Sequence, residues 1–103
     1  KMRKIKFTEF PIMENVGVKS KTYSGEDYKI RIVEFTDKYV EEDWCQKGHV
    51  GYVLEGSMKI EFEEETLSFE KGDGIYIDSS GIDKHKAIIE PGGRVKLVLF
   101  DEV

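Results

Sequence analysis

The chain has 103 residues, with 16 Lys and Arg against 21 Asp and Glu and a net charge of −5. Its length suits one domain spanning residues 1–103, and 39% apolar residues with 12% aromatics exclude a disordered chain. No apolar run approaches the ~20 residues of a membrane helix, and the acidic balance argues against a phosphate-binding face for nucleic acid. The N-terminus is basic (Lys1, Arg3, Lys4, Lys6), yet no apolar segment follows it, so no secretory leader is expected. The lone cysteine, Cys45, cannot form an internal disulfide and suits a reducing cytoplasm. Asn15 and Gln46 are the only side-chain amides. Few amides among many Lys and Glu is a thermophile-like composition, for which a high melting temperature is expected.

Along the chain the hydrophobic period is two almost everywhere. A single short helical turn is the most that fits, around Ile12–Val16. In Tyr28–Phe35, Ile30 and Ile32, with Phe35, are expected on one buried face. His49–Glu55 is a short apolar run, and Met58, Ile60 and Phe62 then alternate with Lys59, Glu61 and Glu63. Leu67 and Phe69 alternate with Ser68 and Glu70, Ile75 and Ile77 flank Tyr76, His85–Ile89 forms another run, and Val95, Leu97 and Leu99 close the series. Alternation over 4–8 residues predicts half-buried strands. Turn signals fall between them at Glu55-Gly56-Ser57, Lys71-Gly72-Asp73, Ser80-Gly81 and Pro91-Gly92-Gly93. Gly72-Asp73-Gly74 is expected to be a hairpin turn, since no helix follows it to make a phosphate loop. Strands about ten residues apart with tight connections predict an all-β sandwich or barrel of antiparallel strands. Its interior mouth is the natural place for a small ligand.

Two strings carry the most specific information. From Trp44 the chain reads Trp44-Cys45-Gln46-Lys47-Gly48-His49-Val50-Gly51-Tyr52-Val53-Leu54-Glu55-Gly56, and sixteen residues later Gly72-Asp73-Gly74-Ile75-Tyr76-Ile77 leads to His85. Together, over about residues 30–100, they resemble the two motifs of the cupins. The resemblance implies a double-stranded β-helix, or jelly-roll barrel, and a divalent metal held by two histidines and a glutamate of the first motif with a histidine of the second. This chain departs from that pattern. With Gly56 as the closing glycine of the first motif, His49 stands at the glutamate position. The histidine pair falls on Asp43 and Cys45, or on Glu42 and Trp44. His85 arrives two residues late, Asp78 stands at the proline position, and Ile89 stands where the second motif has asparagine.

The candidate metal residues are therefore His49, His85 and Cys45. His49 and His85 are the only histidines, and both map to ligand positions. Alternation turns Lys84 and Lys86 away from the face of His85. Imidazole suits several transition metals, and a thiolate from Cys45 would favour a soft one. The plainer alternatives are a hydrogen-bonded core histidine and a small buried cysteine. Gly51 leaves space beside His49 or marks a bulge. Trp44, Tyr52 and Tyr76 are candidates to line an organic-ligand pocket, against the commoner role of sheet packing. Lys47 reads as an exposed loop lysine rather than an anion contact, and Glu55 as a turn residue.

The expected function is a small-molecule-binding cupin module, with one divalent transition metal (zinc, iron, nickel or manganese) as its cofactor. The resemblance also admits a metal-dependent dioxygenase or isomerase, and a metal-free structural or interaction protein. A homodimer covering exposed sheet edges is expected, with no nucleic-acid or membrane partner.

Overall fold

A computed structural model describes residues 3–79 and 81–103; Lys1 and Ser80, cited above, lie outside them. Eight antiparallel strands occupy these residues: β1 (Met13–Asn15), β2 (Val18–Ser24), β3 (Tyr28–Thr36), β4 (His49–Phe62), β5 (Thr66–Glu70), β6 (Gly74–Ile77), β7 (His85–Ile88) and β8 (Arg94–Glu102). The pairing runs β1-β2-β3-β8-β4-β5, with β6 and β7 also on β4. β4 is the hub. Its first half lies between β8 and β6, its second half between β5 and β7.

The expected strands form, with four corrections. The first concerns Glu55-Gly56-Ser57, which is not a chain reversal. β4 continues through it, and the register against β8 slips between Val53 and Glu55. This bulge and Gly56, at φ 75°, bend one long strand around a corner from one sheet to the other. Inward parity changes there too: His49, Gly51 and Val53 face in before the corner, Met58 and Ile60 after it. The Lys71–Asp73 turn caps the corner, with Lys71 N–H on Gly56 O (3.2 Å), Gly72 N–H on Val53 O (3.1 Å) and Val53 N–H on Asp73 O (2.9 Å).

Second, Gly72-Asp73-Gly74 turns the chain without making a hairpin. β5 and β6 pair with different halves of β4, not with each other. Third, the helical turn lies at Phe7–Glu9, a single 3₁₀ turn, and Met13–Asn15 is a strand. Fourth, the inward face of β3 is Arg31, Val33 and Phe35. Val33 is buried among Val53, Ile75, Val95, Leu97 and Leu99. Ile30 and Ile32 lie on the other face. Ile32 is half-buried and lines a groove with Phe7 and Ile12 of the N-terminal segment, which is anchored by Lys21 Nζ on Phe7 O (2.8 Å) and by packing of Phe10 on Tyr23. β3 is thus apolar on both faces, which conceals its parity.

Gly51 does not leave space beside His49, because β8 takes it. A Cβ there would collide with the Val98 carbonyl oxygen and lie 2.8 Å from Leu99 Cδ2. The glycine lets β4 and β8 close tightly at the floor of the barrel.

Candidate functional site

Cys45 and His85 face each other in an isolated antiparallel bridge. Cys45 N–H donates to His85 O (2.8 Å) and His85 N–H to Cys45 O (2.9 Å). Directly opposed residues of such a pair project to the same face, so both side chains enter the barrel. On its other side His85 pairs with Phe62 of β4. His85 is consequently only 4% exposed. His49, first residue of β4, comes from the adjoining sheet. Its ring meets that of His85 edge-on, with centroids 5.4 Å apart. One donor atom from each of Cys45, His49 and His85 lies within 4.8 Å of the others. The two registers left open in the sequence are thereby distinguished: Cys45 is half-buried beside both histidines, whereas Glu42, Asp43 and Trp44 are exposed.

The hydrogen bonds orient these rings. His85 Nδ1 lies 2.9 Å from Asp83 O. A carbonyl only accepts, so Nδ1 carries the proton, and in the neutral ring Nε2 is then the nitrogen with the lone pair. His49 Nδ1 stands 3.7 Å from Asp101 Oδ1, too far for a hydrogen bond, and neither buried atom has another partner among the described residues. The other oxygen of Asp101 accepts from Arg31 Nε at 2.9 Å. Burial pushes the His49 imidazole below its ordinary value of 6.5; Asp101 opposes the shift, and His85 and Arg31 add to it. The ring is therefore neutral near pH 7, the form that ligates metals. Tyr39 is raised above 10.0 by burial, then by Glu41 and Cys45, with Arg31 opposing, so its hydroxyl keeps its proton.

Arg31, Tyr39, Cys45, His49 and His85 border a partly open cavity of about 240 Å³ in the barrel, floored by Met58, Ile60, Leu97 and Leu99. Arg31, Lys47, His49 and Ile77 also border an outer groove of about 590 Å³ and so mark the boundary, or neck, that the two spaces share. Arg31, Asp101, Glu41 and Lys47 belong to this constellation and were not expected as site residues. Glu41 Oε1 accepts from Ala87 N at 2.7 Å. The signal for Arg31 and Asp101 lay in parity: Asp101 continues the series Val95, Leu97, Leu99, and Arg31 shares a face with Val33.

The aromatic candidates lie elsewhere. Tyr52 and Tyr76 are 46% and 77% exposed, because their neighbours Val53, Ile75 and Ile77 take the inward positions. Trp44 packs under Lys86, whose Nζ is 4.9 Å from the ring centroid. None of the three lines the interior cavity, although Tyr76 borders the outer groove.

No protein-family model and no curated protein matches the chain. Among solved structures it is similar to the polyketide cyclase RemF from Streptomyces resistomycificus, at 16% identity and TM-score 0.79 over 99% of this chain and 80% of that one. KdgF from Halomonas sp. is 20% identical, with TM-score 0.77 over 97% and 93% of the two chains. A cupin-2 domain containing protein from Shewanella frigidimarina is 18% identical, with TM-score 0.65 over 82% and 79%. Such distant likenesses speak to architecture alone. The chain has the fold of the cupin superfamily.

Proposed function

We propose that this chain is a small-molecule-binding module whose barrel holds one divalent transition metal on Cys45, His49 and His85. The observation that carries the reading is the convergence of these three donors, from three separate segments, on the wall of one cavity. The donor chemistry fits a metal. His85 offers Nε2 because its Nδ1–H is bound to a backbone carbonyl, and a buried, unpartnered His49 Nδ1 faces a carboxylate that would fix the ring. One thiolate with two imidazoles favours zinc over the harder manganese. Three protein ligands leave a coordination position for a small molecule, and the cavity supplies room for it beside the site.

The test is metal content. Untagged protein dialysed against zinc should retain one equivalent, and Cys45→Ser, His49→Ala and His85→Ala should each retain much less. Wild-type protein that keeps no metal above trace would refute the metal reading. A metal-dependent enzyme is the second reading, favoured by Tyr39 and Glu41 on the same cavity wall. Turnover of a bound compound by loaded protein, lost on chelation, would select it over simple binding.

A further inference from the structure

We infer that the ligand of this cavity is a small organic acid whose carboxylate lies on Arg31 and Lys47 at the neck. The inference rests on the small-molecule reading above and deepens it by naming a substrate class. Its ground is the charge at the one place the inner and outer spaces share. In a chain of net charge −5, the two charged residues that border both spaces, Arg31 and Lys47, are cations. Arg31 lies on the inward face of β3 with its side chain 29% exposed. Its Nε is committed to Asp101 Oδ2. A guanidinium has five N–H donors, and no bond to another described residue takes up the Nη edge of Arg31. Lys47 forms no ion pair with any described carboxylate. It is exposed, between Cys45 and His49, and borders both spaces.

The valence of the ligand follows from the same groups. The cations Arg31 and Lys47, less the carboxylate of Asp101, leave one positive charge at the neck. Glu41, inside, has one oxygen already held by the Ala87 amide. Outside, Lys29 borders the groove together with Asp78 and Glu102, so the excess is sharpest at the neck itself. One carboxylate balances it, and the planar Nη edge matches a carboxylate in two-point geometry. Size narrows the class further. A cavity of about 240 Å³ has the volume of about eight liquid waters at ~30 Å³ each, which suits an acid of a few carbons rather than a nucleotide. Its carboxylate would sit at the neck and its other end beside Cys45, His49 and His85.

The test is an NMR titration of chelator-treated protein with propionate, succinate and benzoate, each against its amide, and with inorganic phosphate. Working without metal keeps ligation by the acids from imitating recognition by the neck. Acids should bind at least tenfold more tightly than their amides, with shifts centred on Arg31 and His49. Arg31→Lys should remove most of that preference and Lys47→Ala part of it, while Lys59→Ala, remote from the cavity, should leave it unchanged. Equal binding of acids and amides would overturn the inference yet leave the small-molecule reading standing. Phosphate binding more tightly than every carboxylate would overturn the choice of acid. Absence of any shift at the cavity would overturn both readings together.

Discussion

Asp101→Asn should weaken zinc binding without dismantling the barrel. Asp101 Oδ1 and His49 Nδ1 are both buried and stand 3.7 Å apart, about 0.9 Å beyond a charge-assisted N–H···O bond of ~2.8 Å. The three candidate ligands lie within 4.8 Å of one another. A tetrahedral site with bonds of ~2.0–2.3 Å puts its donors about 3.3–3.7 Å apart. Loading must draw them together by roughly 1 Å, and a small rotation of the His49 ring can close the Asp101 contact at the same time. The carboxylate then accepts from Nδ1–H and leaves Nε2 for the metal. Asparagine can still accept from Arg31 with its oxygen, but its NH₂ then faces His49 and favours the opposite tautomer, with the proton on the ligating nitrogen. Loss of such a partner typically costs 10–100-fold in metal affinity, or about 1.4–2.8 kcal/mol. Competition with a chromogenic zinc chelator would read this directly, with urea unfolding of metal-free protein run in parallel. Unchanged zinc affinity in a folded Asp101→Asn protein would refute the coupling between this carboxylate and the site.

Three further outcomes are expected. Cobalt-loaded protein should show a thiolate-to-metal charge-transfer band that vanishes in Cys45→Ser; a band that survives would remove Cys45 from the ligand set. Gly56→Ala should cost about 2–4 kcal/mol in urea unfolding, since φ is 75° and the new Cβ meets the Arg94 carbonyl oxygen. Gly92→Ala, at φ 78° with open space around it, should cost only about 1–2 kcal/mol, and equal losses would discount the close approach at the corner. Metal-free protein should be level in stability above pH 6.5 and weaken below it. His49 is depressed from 6.5 in the folded state, so the unfolded chain takes up its proton first as the pH falls; His49→Asn should reduce that slope, and an identical slope would assign it to other groups.

The strands were legible where one face is apolar and the other charged. In β8, Val95, Leu97 and Leu99 are buried, as alternation requires, and β6 repeats this with Ile75 and Ile77. The signal failed where both faces meet protein. β3 carries half-buried Ile30 and Ile32 on one face and Val33 in the core on the other, so an apolar count alone selects the wrong face. β1 and β2 were hidden for the opposite reason. Val-Lys-Ser-Lys-Thr-Tyr-Ser, the sequence of β2, buries little on either side, and its place is set by pairing with β3. Gly56 was informative but ambiguous. A glycine at positive φ serves a tight reversal and a sheet-to-sheet corner equally well, and only the partners of β4, far away in sequence, decide between them.

The candidate site divides along the same line. His49 could be placed because it begins a strand whose next inward members, Gly51 and Val53, are evident. Cys45 could not, because it lies outside the regular strands and its direction is set by one bridge to His85, 40 positions along the chain. Arg31 and Asp101 were obscured by the habit of counting charged residues as outward. Yet a charge at an inward position of a barrel strand must be neutralised or hydrogen-bonded, and these two do that for each other. Their pairing is incomplete, since Asp101 keeps a buried oxygen toward His49 and Arg31 keeps its Nη edge. A pair serving stability alone would be expected to close on itself. This one leaves an acceptor facing the candidate metal ligand and spare donors on a residue that borders both spaces, which joins the metal and the acid-binding readings through two adjacent side chains.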